Sequence, residues 1–325
     1  MITTAIVGCS GYTGQETLDR VLLHPELDIV ALGSDTLAGA SASALDVRLN
    51  GSLPAFVSQQ EAIDASAALT FLCLDHEAAA TTEIGGDGVV VDLSGAHRLP
   101  ATTYPEWYGF EHPRPDLLEG WAYALPELWP PAGRLIANPG CYATAALLAL
   151  APLVGAIDPA GVVVDAKSGV SGAGRSPQAS THAGFVLDNL SAYKVGSHQH
   201  APEIARALGF AVTFVPHLVP IRRGLLVTCY ARAVAGDLRE RLEAAYARSP
   251  VVRVLEEGTA PELARVQGTD GAEIALFEDR STGRTIVVCA IDNLGKGAAG
   301  QAVQNANLAL GLEETLGLRL SGVLV

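Results

Sequence analysis

Lysine is nearly missing from this chain of 325 residues: only Lys167, Lys194 and Lys296 occur. Twenty-one Lys and Arg stand against 35 Asp and Glu, for a formal net charge of -14. That balance argues against a nucleic-acid surface, which needs a basic stripe. The five cysteines (Cys9, Cys73, Cys141, Cys229 and Cys289) are odd in number and form no CxxC pair. Neither a disulfide framework nor a zinc site is indicated. Long apolar runs are absent as well. The longest uncharged one, Ala145 to Ile157, falls short of the roughly 20 residues a membrane span needs. Met1 leads into a strand without the basic stretch and apolar run of a signal peptide. The expected location is the cytoplasm, with thiols kept reduced. Hydrophobic content of 49% and charged content of 17% describe a globular chain, and its length predicts two domains.

Against those absences, one stretch organises the rest: Asn138-Pro139-Gly140-Cys141-Tyr142-Ala143-Thr144. Arg134 to Ala137 reads as a short strand and Ala145 to Val154 as a helix, so Cys141 stands at a strand-to-helix corner, with Pro139 and Gly140 supplying the turn chemistry. Partial positive charge at a helix N-terminus favours thiolate over thiol. A thiolate held there is a nucleophile suited to an acyl carbon. Cys73, Cys229 and Cys289 lie inside apolar strand-like runs and read as inert core residues.

The N-terminus reads as strand, Gly-rich turn and helix: Ile2 to Val7, then Gly8-Cys9-Ser10-Gly11-Tyr12-Thr13-Gly14, then Leu18, Val21 and Leu22 on a helix. This is the setting of a dinucleotide fingerprint, in which Gly8 makes the turn, Gly11 admits the pyrophosphate and Gly14 lets helix and strand pack closely. The second strand, Asp28 to Leu32, ends at Gly33-Ser34-Asp35, where Ser34 points to NADP and Asp35 away from it. Strands at Leu69 to Leu74 and Val89 to Leu93 end in Asp75-His76-Glu77 and Ser94-Gly95, at the edge where open α/β sheets bind ligands. Tyr104 to Pro131, dense in proline and aromatics, reads as an irregular excursion.

Beyond Cys141 the pattern turns to strands with little helix between them, marking a second, α+β domain. A strand at Val162 to Asp165 runs into Lys167-Ser168-Gly169-Val170-Ser171-Gly172-Ala173-Gly174-Arg175, a backbone-lined cradle for an anion. Tyr193 to Ile204 is a polar turn entering a helix, where Ser197 or His198 can serve as cap; His198 and His200 lack the further ligands of a metal site. His217 follows the strand Phe210 to Val215 and lies between Pro216 and Pro220, and an imidazole so pinned suits general acid/base work. Arg222 and Arg223 can bind carboxylate or phosphate bidentately. Asp237 to Ser249 reads as an amphipathic helix, and Val251 to Glu256, Ala272 to Phe277 and Thr285 to Ile291 as strands. Finally Asp292-Asn293-Leu294-Gly295-Lys296-Gly297-Ala298 opens a buried helix, Gln301 to Leu310, expected to pack on the first domain.

Together these stretches resemble the N-acetyl-γ-glutamyl-phosphate reductase family, along essentially the whole chain. The resemblance is carried by the residue 8–14, 138–144 and 168–175 stretches, His198-Gln199-His200-Ala201-Pro202-Glu203-Ile204, Pro216-His217-Leu218-Val219-Pro220 with Arg223-Gly224, and the 292–298 stretch. It departs from the family where Ala143 replaces Pro, Gly95-Ala96-His97 replaces Ala-Asp-Phe, and Asp35 stands where Arg is common. The resemblance implies a Rossmann α/β domain over 1–140, completed by 295–325, and an α+β catalytic and dimerisation domain of glyceraldehyde-3-phosphate-dehydrogenase-like type over 141–294.

The resemblance also implies NADP-dependent reduction of a small acyl phosphate through a Cys141 thioester, with release of inorganic phosphate and no metal, by a homodimer or homotetramer. His217 would serve as acid/base, with His200 as the other candidate. Asn138, Ser168, Arg175, His200 and Arg223 would hold the substrate. Gly8, Ser10, Gly11, Tyr12, Thr13, Gly14, Ser34, Ser94, Gly172, Asn293 and Lys296 would hold the cofactor, with NAD open because of Asp35. Alternatives are the acyl-phosphate reductase of the aminoadipate route to lysine, one methylene longer in substrate, and a dinucleotide sensor without catalysis.

Overall fold

Apolar strands that alternate with helices before residue 138 build one sheet, and the strand-rich remainder builds another. The computed structural model describes residues 1–49 and 53–322. In chain order the first half runs β1 (Ile2–Val7), α1 (Tyr12–Leu23), β2 (Leu27–Gly33), β3 (Phe56–Val57), α2 (Gln59–Asp64), β4 (Leu69–Leu72), α3 (His76–Thr81), β5 (Val89–Asp92), α4 (Tyr104–Trp107), β6 (Ala122–Tyr123) and β7 (Leu135–Ala137). The second half runs α5 (Cys141–Leu150), β8 (Val163–Gly169), α6 (Ala183–Val186), β9 (Ser191–Ala192), α7 (His200–Leu208), β10 (Thr213–Val219), β11 (Leu225–Ala231), α8 (Leu238–Tyr246), β12 (Val252–Val254), α9 (Leu263–Val266), β13 (Ala272–Asp279), β14 (Arg284–Ile291) and α10 (Gly300–Ala309).

The first compact unit comprises the described residues of 1–105, 109–139 and 298–318. Its strands are all parallel, in the order β3-β2-β1-β4-β5-β7-β6. Such a sheet must be covered on both faces, which is why β1, β4 and β5 read as continuous apolar runs. The return of α10 supplies one cover, against α1 and β5, and its low charge reflects burial from Gly300 to Asn307. His24 fastens α1 to it through Asn307 Oδ1, 2.9 Å from His24 Nε2.

The second unit comprises 106–108, 140–297 and 319–322 among the described residues. Its sheet is mixed, in the order β12-β13-β14-β11-β8-β10-β9. Helix α5 lies on β11 and β14, with every residue after Cys141 buried. Strand alternation divides the sheet's residues. Val164, Ala166 and Ser168 of β8, with their register partners Cys229, Val227 and Leu225 of β11, form the buried face beneath α5. Val163, Asp165 and Lys167 point the other way and stay half-buried.

Several elements differ from the sequence-based expectation. Helix α5 starts at Cys141, four residues early, because the turn is complete at Gly140. Strand β10 continues through Pro216 and His217 to Val219. A proline survives there because β10 lies next to the edge and pairs over two residues only with β9. Strand β8 likewise absorbs Lys167 and Ser168. Residues 319–322 join the second unit, not the first: Asp270 N–H donates to Arg319 O at 2.7 Å, and Arg319 N–H returns a bond to Asp270 Oδ2 at 2.8 Å.

The turn after β1 is the tightest point of the first unit. Gly8 has φ +82°, and a Cβ there would stand 2.4 Å from Cys73 O; one at Gly14 would stand 2.4 Å from Gly8 O. Gly8→Ala therefore combines a left-handed penalty with a backbone clash. It should cost about 2–4 kcal/mol, read as a fall of several degrees in the thermal unfolding midpoint.

Candidate active site

In the first unit, the carboxyl edge of the parallel sheet gathers the turns after β1, β2, β4 and β5. Gly11 is the N-cap of α1 and no side chain caps that helix end. A Cβ at Gly11 would meet only Gly8 O, at 3.5 Å, so the turn is open on that side. An uncapped helix N-terminus over an open glycine fits a pyrophosphate. The turn is tied to the end of β2 by Ser34 Oγ, which donates to Ser10 Oγ at 2.9 Å and lies 3.1 Å from Thr36 Oγ1. Asp35 is exposed, and its Oδ1 accepts from Gln59 N–H at 2.9 Å, at the start of α2.

After β5 the chain folds around Asp92. Its carboxylate accepts from Ser94 N–H and Ser94 Oγ, both at 2.8 Å, and lies 2.6 Å from His97 Nδ1. Burial alone would raise this carboxyl, but the bonds to His97 and Ser94 hold it below its ordinary value. His97 also stacks on Trp121 at 3.8 Å, so the departure from the family's Ala-Asp-Phe gains a polar contact to Asp92 and keeps a ring. Arg98 Nε donates to Asn138 O at 2.8 Å and Asn138 N–H donates to Asp92 O at 2.9 Å, joining the β5 and β7 exits.

In the second unit, Cys141 is the first residue of α5, half-buried, behind an N-cap Gly140 whose helix end no side chain caps. Glu203 of α7, 1% exposed, accepts the Gly140 N–H through Oε1 at 2.8 Å. Backbone closes in from another side: a Cβ at Gly297 would stand 2.8 Å from Cys141 Cβ. Aromatic rings follow the thiol. Tyr193 Oη donates to Tyr142 Oη at 3.1 Å, and the Tyr142 ring meets His198, His200 and Phe214 at 5.5, 5.8 and 5.4 Å. Burial pushes Tyr193 up to about 12, against the lowering bond to Tyr142, and the nearby charge of Cys141 adds to the rise. His198 is driven down to about 2 by burial, then by His200 and Lys194, so it is neutral at working pH. Its Nδ1 accepts the His200 N–H at 3.1 Å, at the first residue of α7, whose N-cap is Gln199.

Profiles of known families divide the chain at the same corner. A semialdehyde dehydrogenase NAD-binding domain matches residues 3–134, and a semialdehyde dehydrogenase dimerisation domain matches 141–293. The chain is 44% identical to the N-acetyl-gamma-glutamyl-phosphate reductase of Salinispora tropica over 99% of each chain. It is 41% identical to that of Rhodospirillum rubrum, over 98% of this chain and 97% of that one. The chain belongs to the N-acetyl-γ-glutamyl-phosphate reductase family. Among solved structures, aspartate semialdehyde dehydrogenase II from Vibrio cholerae shares the fold, with a TM-score of 0.73 at 20% identity over 96% of this chain and 99% of that one. Aspartate semialdehyde dehydrogenase with NADP from Candida albicans does so with a TM-score of 0.64 at 17% identity, over 96% and 99%.

Within this reductase-family chain, several residues chosen from sequence stand elsewhere than expected. His217 lies on the sheet face away from α5. Phe214 touches Tyr142 of α5, so even-numbered residues of β10 face the helix and His217 leaves by the opposite face. Its Nδ1 lies 3.2 Å from Asp165 Oδ1 and 3.3 Å from Ala166 O, with Lys167 beside it pairing Asp165. His200, by contrast, stands one helical turn before Glu203, on the α7 face that meets α5.

The fork of Arg223 grips Asp292, with Nε at 2.6 Å and Nη2 at 3.0 Å. Asn138 is enclosed in the first unit: Nδ2 donates to Ala298 O at 3.2 Å and Oδ1 accepts from Asn305 at 3.0 Å. Asn293 bridges Gly224 N–H and Ser171 Oγ, and Lys296 is wholly buried. Ser34 and Ser94 use their hydroxyls within the turns. Buried Ser168 Oγ lies under Gly172, where a Cβ would stand 2.8 Å from it, while Arg175 is exposed. Sequence reading passed over Glu203; its spacing of three from His200 on one helix was the available signal.

The thiols differ sharply in setting. Burial raises Cys73 and Cys229 to about 12, and raises Cys9 and Cys289 as well. Iodoacetamide at pH 7.5 should therefore modify Cys141 alone in the folded chain. Peptide mass spectrometry checks this, and equal labelling of a second cysteine would contradict it.

Proposed function

We propose that this chain catalyses the NADPH-dependent reductive dephosphorylation of N-acetyl-γ-glutamyl phosphate to N-acetyl-L-glutamate 5-semialdehyde, a step of arginine biosynthesis. The observation that carries the reading is Cys141 at the mouth of α5 in a chain 44% identical, end to end, to a reductase so named. The Cys141 thiolate attacks the acyl carbon, the carbon–oxygen bond to phosphate breaks, and inorganic phosphate leaves a thioester on sulfur. The turn of Gly8, Gly11 and Gly14 would hold a nicotinamide dinucleotide, which would supply hydride for reduction of the thioester carbon. His200 donates a proton to the resulting oxyanion and takes it back as the carbon–sulfur bond breaks, freeing aldehyde and thiolate. The helix N-terminus stabilises the sulfur whenever it carries charge.

Each unit offers supporting groups of its own. Arg175 and the 169–174 backbone are suited to the departing phosphate. The open turn over Gly11 suits the pyrophosphate, and the hydroxyls of Ser34 and Thr36 favour NADP, with Asp35 kept in place as the partner of Gln59 N–H. A homodimer is supported by the apolar residues Val163, Val215, Leu226, Ile286 and Val288, half-buried in a single chain on the sheet face away from α5. A cytoplasmic setting accords with a working thiol, and among the described residues no helix is long and apolar enough to cross a membrane.

Two experiments test the proposal. N-acetylglutamate semialdehyde should drive phosphate-dependent reduction of NADP, faster than its one-methylene-longer aminoadipate homologue and faster than with NAD; Cys141→Ser should abolish it. A preference for the longer aldehyde would reassign the substrate, and no reduction with either would reject the enzyme reading. His200→Asn should lower turnover on the order of 10²–10⁴-fold, while His217→Asn stays within about threefold of the parent. The reverse ranking would return the acid/base role to His217.

A further inference from the structure

Glu203 is an acidic residue that touches the corner presenting Cys141, and its position is costly for an ordinary structural carboxylate. It is 1% exposed, and it spends one oxygen on the N-cap amide of a helix whose first residue is the proposed nucleophile. A carboxylate so near a helix N-terminus is favoured by the same dipole that favours a thiolate there. The two negative groups therefore share one source of stabilisation, and each disfavours the other.

We propose that Glu203 is a positioning residue with two linked effects: it anchors the Gly140 amide so that Cys141 begins α5, and its charge restrains ionisation of the sulfur. The inference rests on the catalytic reading of Cys141 given above and extends it to what tunes that residue. The restraint has a chemical use. A thiol of very low pKa is always ionised but is a weaker nucleophile, and the best attacking thiol titrates near ambient pH. The carboxylate opposes whatever the helix mouth contributes to the thiolate.

Other groups around the corner bear on the same equilibrium. His198 and His200 stand at the start of α7, and Arg206 lies one turn beyond Glu203. Tyr142 follows Cys141 on α5, with Tyr193 and Lys194 near β9. Lys296 is buried beside Gly297. His198, neutral at working pH, adds no charge, and the Tyr193 phenol, raised to about 12, adds none either.

The test separates charge from anchoring and needs neither substrate nor dinucleotide. The rate of Cys141 alkylation by iodoacetamide is followed from pH 5 to 10, and amide hydrogen exchange at Gly140 is followed by NMR. Glu203→Gln keeps an oxygen acceptor and loses the charge. The labelling midpoint should fall by at least about half a pH unit, with Gly140 protection retained. Glu203→Ala loses both, so the midpoint should fall and Gly140 protection drop by about tenfold or more. An unmoved midpoint in Glu203→Gln overturns the charge role, and full Gly140 protection in Glu203→Ala overturns the anchor. If both shifts appear while the protein fails to reduce NADP with either aldehyde, the corner chemistry stands and the functional reading alone falls.

Discussion

A cysteine can open a buried helix only if the chain on each side of it is held tightly enough to leave the sulfur accessible. Here the hydrogen bond from Gly140 N–H to Glu203 does much of that holding. It fixes where α5 starts, brings the first turn of α7 against that start, and with it His200. Gly297 closes in behind, at a separation that no side chain could share. The helix cannot slide along its axis without breaking the Glu203 bond or colliding with Gly297. The chemistry of the thiol is thus a consequence of backbone placement more than of any side chain in contact with it.

The first unit relies on a similar constraint. The turn from β1 to α1 passes so close to Cys73 and to its own helix that Gly8 and Gly14 are required, while Gly11 is left facing open space. Sequence spacing alone conveyed these roles, because each depends on atoms a few residues away or on an adjacent parallel strand. The extra bonding after β5 was not legible in the same way. His97 looked like a loss of a family residue, yet it pairs with Asp92 and stacks on Trp121, a partner 24 residues further along the chain.

The two histidine candidates show what linear reading does not reach. His217 between prolines and His200 in a polar turn were both plausible as bases. What separates them is strand parity: one residue of register decides whether a side chain meets α5 or leaves by the far face. That register depends on β8 and β9 pairing with β10, and those partners lie as much as 50 residues from His217 in sequence. Arg223 is a parallel case. Its basic character suggested an anion site, and its actual partner, Asp292, comes from beyond β14.

Local order along the chain was enough to determine the βα alternation of the first unit, the strand-rich second unit, the Gly-rich dinucleotide turn and the placement of Cys141 at a helix mouth. All of these follow from periodicity, turn chemistry and helix capping, which act over a few residues. Tertiary structure alone decided which histidine shares a face with that helix, which cations are already paired, and which carboxylate holds the turn before Cys141. Those outcomes depend on strand register and on contacts between segments distant in sequence, and no short-range rule reaches that far.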